Sequence, residues 1–96
     1  MLNLSVLETY KERVREIVLA HHATNARVFG SVLHGKAKKT SDLDLLIDPT
    51  EEMSLMDIGA IRHELKGLLG VDVDVLTPRA LPESFREKVL KEAAPI

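Results

Sequence analysis

Apolar positions along the chain recur with two periods, and each marks an element. Leu7, Tyr10, Val14, Ile17, Val18 and His21 return at helical spacing, with Lys11, Glu12, Arg13, Arg15 and Glu16 between them. Ser5-Val6-Leu7-Glu8 in front has the spacing of a capping box, Ser at the N-cap and Glu three residues on. The pattern predicts an amphipathic helix of about four turns that ends near Ala23-Thr24-Asn25. Arg27-Val28-Phe29 is a short strand running into Gly30-Ser31, and residues 31–41 form a loop with a turn of helix at its start. Asp42 to Ile47 is a second strand, stopped by Asp48-Pro49. A second capping signal, Ser54-Leu55-Met56-Asp57, opens a helix along Leu55, Ile58, Ile61, Leu65, Leu68 and Leu69. Gly70 closes that helix, and Gly59 and Gly67 weaken it. Val71 to Leu76 alternates strictly, which predicts a strand with Val71, Val73 and Val75 towards the core. Thr77-Pro78 ends it, and Pro82 then begins a last helix with Phe85, Val89 and Leu90 inward.

The order is α-β-β-α-β-α in one domain over residues 1–96. Strands two and three are joined through a helix, so they should be parallel with a right-handed crossover. Strand one reaches strand two through a loop and should run antiparallel to it. The expected fold is α+β: a small three-stranded mixed sheet, helices packed on one face, the other face open.

Composition narrows the function. Aromatic residues are 3% against 45% hydrophobic, so the core must be aliphatic. A net charge of −2 argues against non-specific binding to nucleic acid or to an anionic membrane. The chain has no cysteine, which removes thiolate metal sites and thiol nucleophiles. No apolar run approaches a membrane span and no signal-like region opens the chain, so a cytoplasmic protein is expected.

The chemistry gathers between Gly30 and Asp48. Alternation along a strand puts Leu43, Leu45 and Ile47 on one face and Asp42 and Asp44 on the other. Asp72 and Asp74 share a face in the same way, and on a neighbouring strand one of them stands near the first pair. Alternating Asp-Val taken alone is an ordinary solvated sheet face. Both strands together form a like-charge cluster that is destabilising without a cation, and hard oxygen ligands suit Mg²⁺. Gly30-Ser31-Val32-Leu33-His34-Gly35-Lys36 matches the opening of a P-loop, but Ala37 stands where Ser or Thr is needed and a strand follows instead of a helix. The P-loop reading fails. His21, His22 and His63 read as surface residues away from the aspartates. Lys36, Lys38 and Lys39 read as a solvated loop.

Gly30-Ser31, ten intervening residues, Asp42-Leu43-Asp44 and a third aspartate on a later strand resemble the nucleotidyltransferase superfamily of DNA polymerase β. The chain looks most like its minimal (MNT) members, antitoxins encoded beside HEPN-domain toxins, over Arg27 to about Ala93. That resemblance implies catalytic and metal-binding roles for Asp42, Asp44 and Asp74, with two Mg²⁺ ions. Gly30, Ser31 and Ser41 would bind the nucleotide. Asp74 is preferred to Asp72 because Asp74-Val75-Leu76-Thr77 matches the family's context for the third carboxylate, and because ligands lie at the carboxyl ends of parallel strands. The implied reaction moves AMP from ATP to a hydroxyl of a partner, a tyrosine of a HEPN RNase toxin, within a hetero-oligomer. One departure is Leu33-His34-Gly35, where many members carry an arginine, which leaves His34 or Lys36 to supply that charge. The alternatives are an antitoxin that neutralises its partner by binding alone and, lower, the nucleotide half of a small-molecule nucleotidyltransferase.

Overall fold

The computed structural model describes residues 2–36 and 42–96. Helices α1 (Leu4–Thr9) and α2 (Lys11–Ala20) lead into β1 (Ala23–Phe29) and β2 (Leu43–Pro49). Then come α3 (Leu55–Leu69), β3 (Val73–Leu76), a 3₁₀ turn over Pro78–Ala80, α4 (Glu83–Glu92) and β4 (Ala94–Pro95). The sheet order is β3-β2-β1-β4. As the connections required, β2 and β3 are parallel and β1 is antiparallel to β2. The α+β class stands, but the sheet has a fourth strand. β4 pairs Ala94 and Pro95 with Val28 and Arg27. Two residues are too short to carry a periodic signal, and only the return of the chain after α4 brings them to that edge.

Element ends moved where tertiary contacts outweighed local propensity. The first helix is capped by Asn3, whose Oδ1 accepts from the Val6 N–H at 2.9 Å, and not by Ser5. It breaks at Tyr10, and α2 stops at Ala20 because Ala23 and Ala26 are buried as strand residues. The capping box of Ser54 and Asp57 is present as expected, and Gly70 closes α3 in the left-handed region at φ 73°. β3 begins two residues later than the alternation suggested, and Val71 only borders the core. Leu55, expected inward, is 85% exposed, and Met56 beside it 84%.

Helices α1, α2 and α3 cover one face of the sheet. Leu43, Leu45 and Ile47 of β2 meet Val73 and Val75 of β3 there, under Val14, Ile17 and Val18 of α2 and Ile61 and Leu65 of α3. The opposite face is not open along its whole length. Phe29, Leu46 and Leu81 form a second buried cluster with Leu76, Val89 and Ala93 packed against it. Arg86 of α4 ties the segment before it in place, donating to the carbonyls of Pro78 at 2.9 Å and Leu81 at 2.8 Å. Val89 faces this cluster as expected, whereas Phe85 and Leu90 are 43% and 40% exposed. A helix that covers only a strip of sheet buries a narrow stripe, and those two side chains fall outside it. Among the described residues no helix is long and apolar enough to cross a membrane. Leu81→Ala should therefore cost about 2–5 kcal/mol of unfolding free energy in urea titrations, and Phe85→Ala less than about 1 kcal/mol.

Candidate active site

The second cluster fills the middle of its sheet face and leaves the end with Gly30, Asp44 and Asp74 for polar groups. Parallel register sets Asp44 directly opposite Asp74, with Leu43 opposite Val73. Asp44 is half-buried and Asp74 exposed. Burial pushes the Asp44 carboxyl up to about 6, and the charges of Asp74 and then Asp42 push the same way. Asp42 is exposed one residue before β2. The three carboxylates expected to act together are neighbours.

Asp72 is paired with α3. Lys66 of α3 sits 2.8 Å from its carboxylate and holds it below the usual range by a hydrogen bond and by charge. Its backbone carbonyl accepts from the Leu43 N–H at 2.9 Å.

Gly30 follows the last residue of β1, Phe29, which pairs with Asp44. Its φ is +74°, and a Cβ there would fall on the Asp44 side chain, 3.0 Å from Cγ. Any larger residue would have to displace the carboxylate. A helical turn follows: the N–H groups of His34, Gly35 and Lys36 bond to the carbonyls of Gly30, Val32 and Ser31 at 3.2, 3.3 and 2.9 Å. Val32, 2% exposed, pins the turn to the core. The N–H groups of Ser31, Val32 and Leu33 open the turn and have no carbonyl within it to bond, a backbone arrangement suited to anionic oxygens. Ser41 lies outside the described residues. His34 is held 3.2 Å from Glu92 of α4, and Lys36 is the other cation among the described residues of this segment.

A cleft of about 490 Å³ lies beside the carboxylates, between α3 and the free edge of β3. Asp42, Asp72 and Asp74 line one side and Arg62, His63 and Lys66 the other, with Gly59 at its end. His63, expected away from the aspartates, faces the same cleft. A basic run at positions 62, 63 and 66 marks one helix face, and only the docking of α3 beside β3 turns that face towards the site. His21 and His22 do lie apart, pairing with Glu64 and Asp57.

The profile of the nucleotidyltransferase domain matches residues 7–96. The chain belongs to the nucleotidyltransferase domain family. A protein adenylyltransferase, MntA, of Thermococcus cleftensis is 34% identical to this nucleotidyltransferase over 92% of the chain and 86% of its own length. A solved candidate minimal nucleotidyltransferase is 42% identical, covers 99% of this chain and 97% of its own, and superposes with a TM-score of 0.88. A toxin–antitoxin crystal structure with AMP-PNP shares the fold at a TM-score of 0.73 and 16% identity, over 88% of this chain and 70% of its own.

Among the described residues no three His, Cys, Asp or Glu side chains converge closely enough to make a ready-formed metal cage. The donor set still suits Mg²⁺, which keeps several waters and takes one or two carboxylates together with substrate phosphates. The charge burden on Asp44 is the feature of this nucleotidyltransferase that a cation would relieve.

That burden gives a pH dependence with a definite sign. The Asp44 carboxyl is raised in the fold, so between about pH 4 and pH 6 the folded state holds a proton that the unfolded state has lost. Its contribution therefore falls as pH rises through that window. Metal-free Asp44→Asn should melt above wild type at pH 7, and the two should converge near pH 4. Gly30→Ala should melt below wild type at both pH values.

Proposed function

We propose that this chain transfers AMP from ATP to a hydroxyl of a partner protein, a tyrosine of a HEPN-domain RNase toxin, and thereby acts as its antitoxin in the cytoplasm. The observation that carries this reading is the in-register pair Asp44 and Asp74 beside the Gly30-Ser31 turn. The name of the Thermococcus relative supports AMP transfer to protein. The toxin–antitoxin structure with AMP-PNP supports a nucleotide and a toxin partner for this fold.

In this reading Asp42, Asp44 and Asp74 would hold two Mg²⁺ ions, which would neutralise carboxylate and phosphate charge and stabilise the attacking and leaving oxygens. Ser31 and the N–H groups after Gly30 hold the β- and γ-phosphates, with Ser41 and Lys36 as further contacts. Asp74, exposed on the outer strand, takes the proton of the acceptor hydroxyl. The acceptor oxygen then bonds to the α-phosphorus, the bond from that phosphorus to the bridging oxygen breaks, and pyrophosphate leaves. Asp44 is the more buried of the register pair and is suited to holding charge in place.

Incubation with Mg²⁺-ATP and the cognate toxin should add the mass of one AMP to the toxin. Inhibition of the toxin without any mass change would favour neutralisation by binding alone. Asp74→Asn should slow transfer by about 10²–10⁴-fold with ATP binding largely retained, and Asp72→Asn should act nearly as wild type. Exchange of those two phenotypes would reject the assignment of the third carboxylate. Ser31→Ala should weaken ATP binding by about 1.5–3 kcal/mol in titration calorimetry, and an unchanged affinity would remove Ser31 from the site.

A further inference from the structure

The cleft between α3 and β3 lies on the far side of the carboxylates from the Gly30-Ser31 turn. The sheet order fixes this: the turn follows β1, the aspartates stand on β2 and β3, and the cleft borders the outer edge of β3. In an in-line displacement the attacking and leaving oxygens occupy opposite sides of the phosphorus. With pyrophosphate held at the turn, the attacking hydroxyl must arrive from the β3 side. The cleft opens there, and its 490 Å³ is enough for a side chain with its neighbours.

The two walls of the cleft carry opposite charge. Asp42, Asp72 and Asp74 face it from the strand side, and Arg62, His63 and Lys66 from α3. Lys66 is committed to Asp72. Arg62 uses Nε on the Val73 carbonyl at 3.2 Å. Among the described residues the two Nη groups of Arg62 and the His63 ring have no hydrogen-bond partner. The bond to Val73 also engages a carbonyl of the edge strand. Gly59, one turn before Arg62 on α3, leaves the end of the cleft clear, with nothing within 4 Å of where its Cβ would be.

We infer that this cleft binds the acceptor, and that it selects a peptide segment with an acidic side chain beside the acceptor hydroxyl. The inference rests on the AMP-transfer reading and names the substrate class of that same site. Arg62, whose Nη groups carry no hydrogen bond among the described residues, and His63 draw the acidic neighbour to the α3 wall, which turns the hydroxyl towards Asp74 on the facing wall. Arg62 and His63 are thus positioning residues for the acceptor.

Binding and transfer are measured separately, with two synthetic peptides that carry one tyrosine flanked by glutamates or by lysines. Fluorescence anisotropy in the presence of Mg²⁺-AMP-PNP reads binding, and labelled ATP reads transfer. Wild type should bind the glutamate peptide about tenfold or more tightly than the lysine peptide. Arg62→Glu should reverse that preference, with the affinity for AMP-PNP unchanged, and Arg62→Lys should keep much of it. Gly59→Leu, which removes no contact, should lose both peptides, whereas Gly59→Ala should keep them. Equal binding of the two peptides by wild type, or wild-type preference in Arg62→Glu, would overturn the inference. Peptide selection without transfer would reject AMP transfer and leave a cleft that selects acidic peptides but binds no acceptor.

Discussion

Two carboxylates face each other across a parallel strand pair, and the rest of the structure has to hold them there. Asp44 and Asp74 repel, and two ionised carboxylates about 4 Å apart near a protein surface cost about 4 kcal/mol at an effective dielectric of about 20. The same register that opposes them also seals Leu43, Leu45, Ile47, Val73 and Val75 against the helices on the other face. Burial of each such side chain contributes about 1.5–3 kcal/mol, so the apolar face prevails and sets the register. A shift by one residue would separate the aspartates, and it would also turn that whole apolar set towards water.

Around this pair the opposite face is divided with little to spare. Phe29, Leu46 and Leu81 occupy its centre under α4, and Arg86 fixes the approach to that helix. Only the end of the face is left for chemistry. There Gly30 lets the backbone pass close against Asp44, and its positive φ redirects the chain into the turn whose N–H groups open beside the carboxylates. The glycine thus answers two demands, a left-handed conformation and a contact that leaves no room for Cβ.

Helix α3 links the fold to the proposed chemistry. Its apolar stripe, with Ile61 and Leu65 fully buried, anchors the β2–β3 crossover. Its basic stripe of Arg62, His63 and Lys66 forms the outer wall of the cleft. Lys66 holds Asp72 aside, which leaves Asp74 as the carboxylate of β3 that faces its counterpart on β2. In the proposed reaction, nucleotide and acceptor then meet over the carboxylates from opposite sides, and one short chain serves both through a single helix and a single turn.

Much of this was legible in the residues themselves. Alternation marked which side chains of β2 and β3 face the core and which aspartates stand together at the Gly30 end of the sheet, because both signals are local and periodic. The capping box at Ser54 and the glycine stop at Gly70 belong to the same class. What stayed hidden depends on residues far apart in the chain. Ser5 and Asn3 are both good caps, and only packing chose between them. β4 exists because α4 returns the chain to β1, and Leu81 is buried because a 3₁₀ turn folds it onto Leu46. His63 reached the cleft, and His34 was drawn to Glu92, through the docking of whole elements. The sequence alone determined the periods, the turns and the carboxylates, since each follows from the geometry of a few adjacent residues. Tertiary structure alone decided which faces meet, because that choice is made by burying the largest apolar area at once, and no short stretch of chain contains that sum.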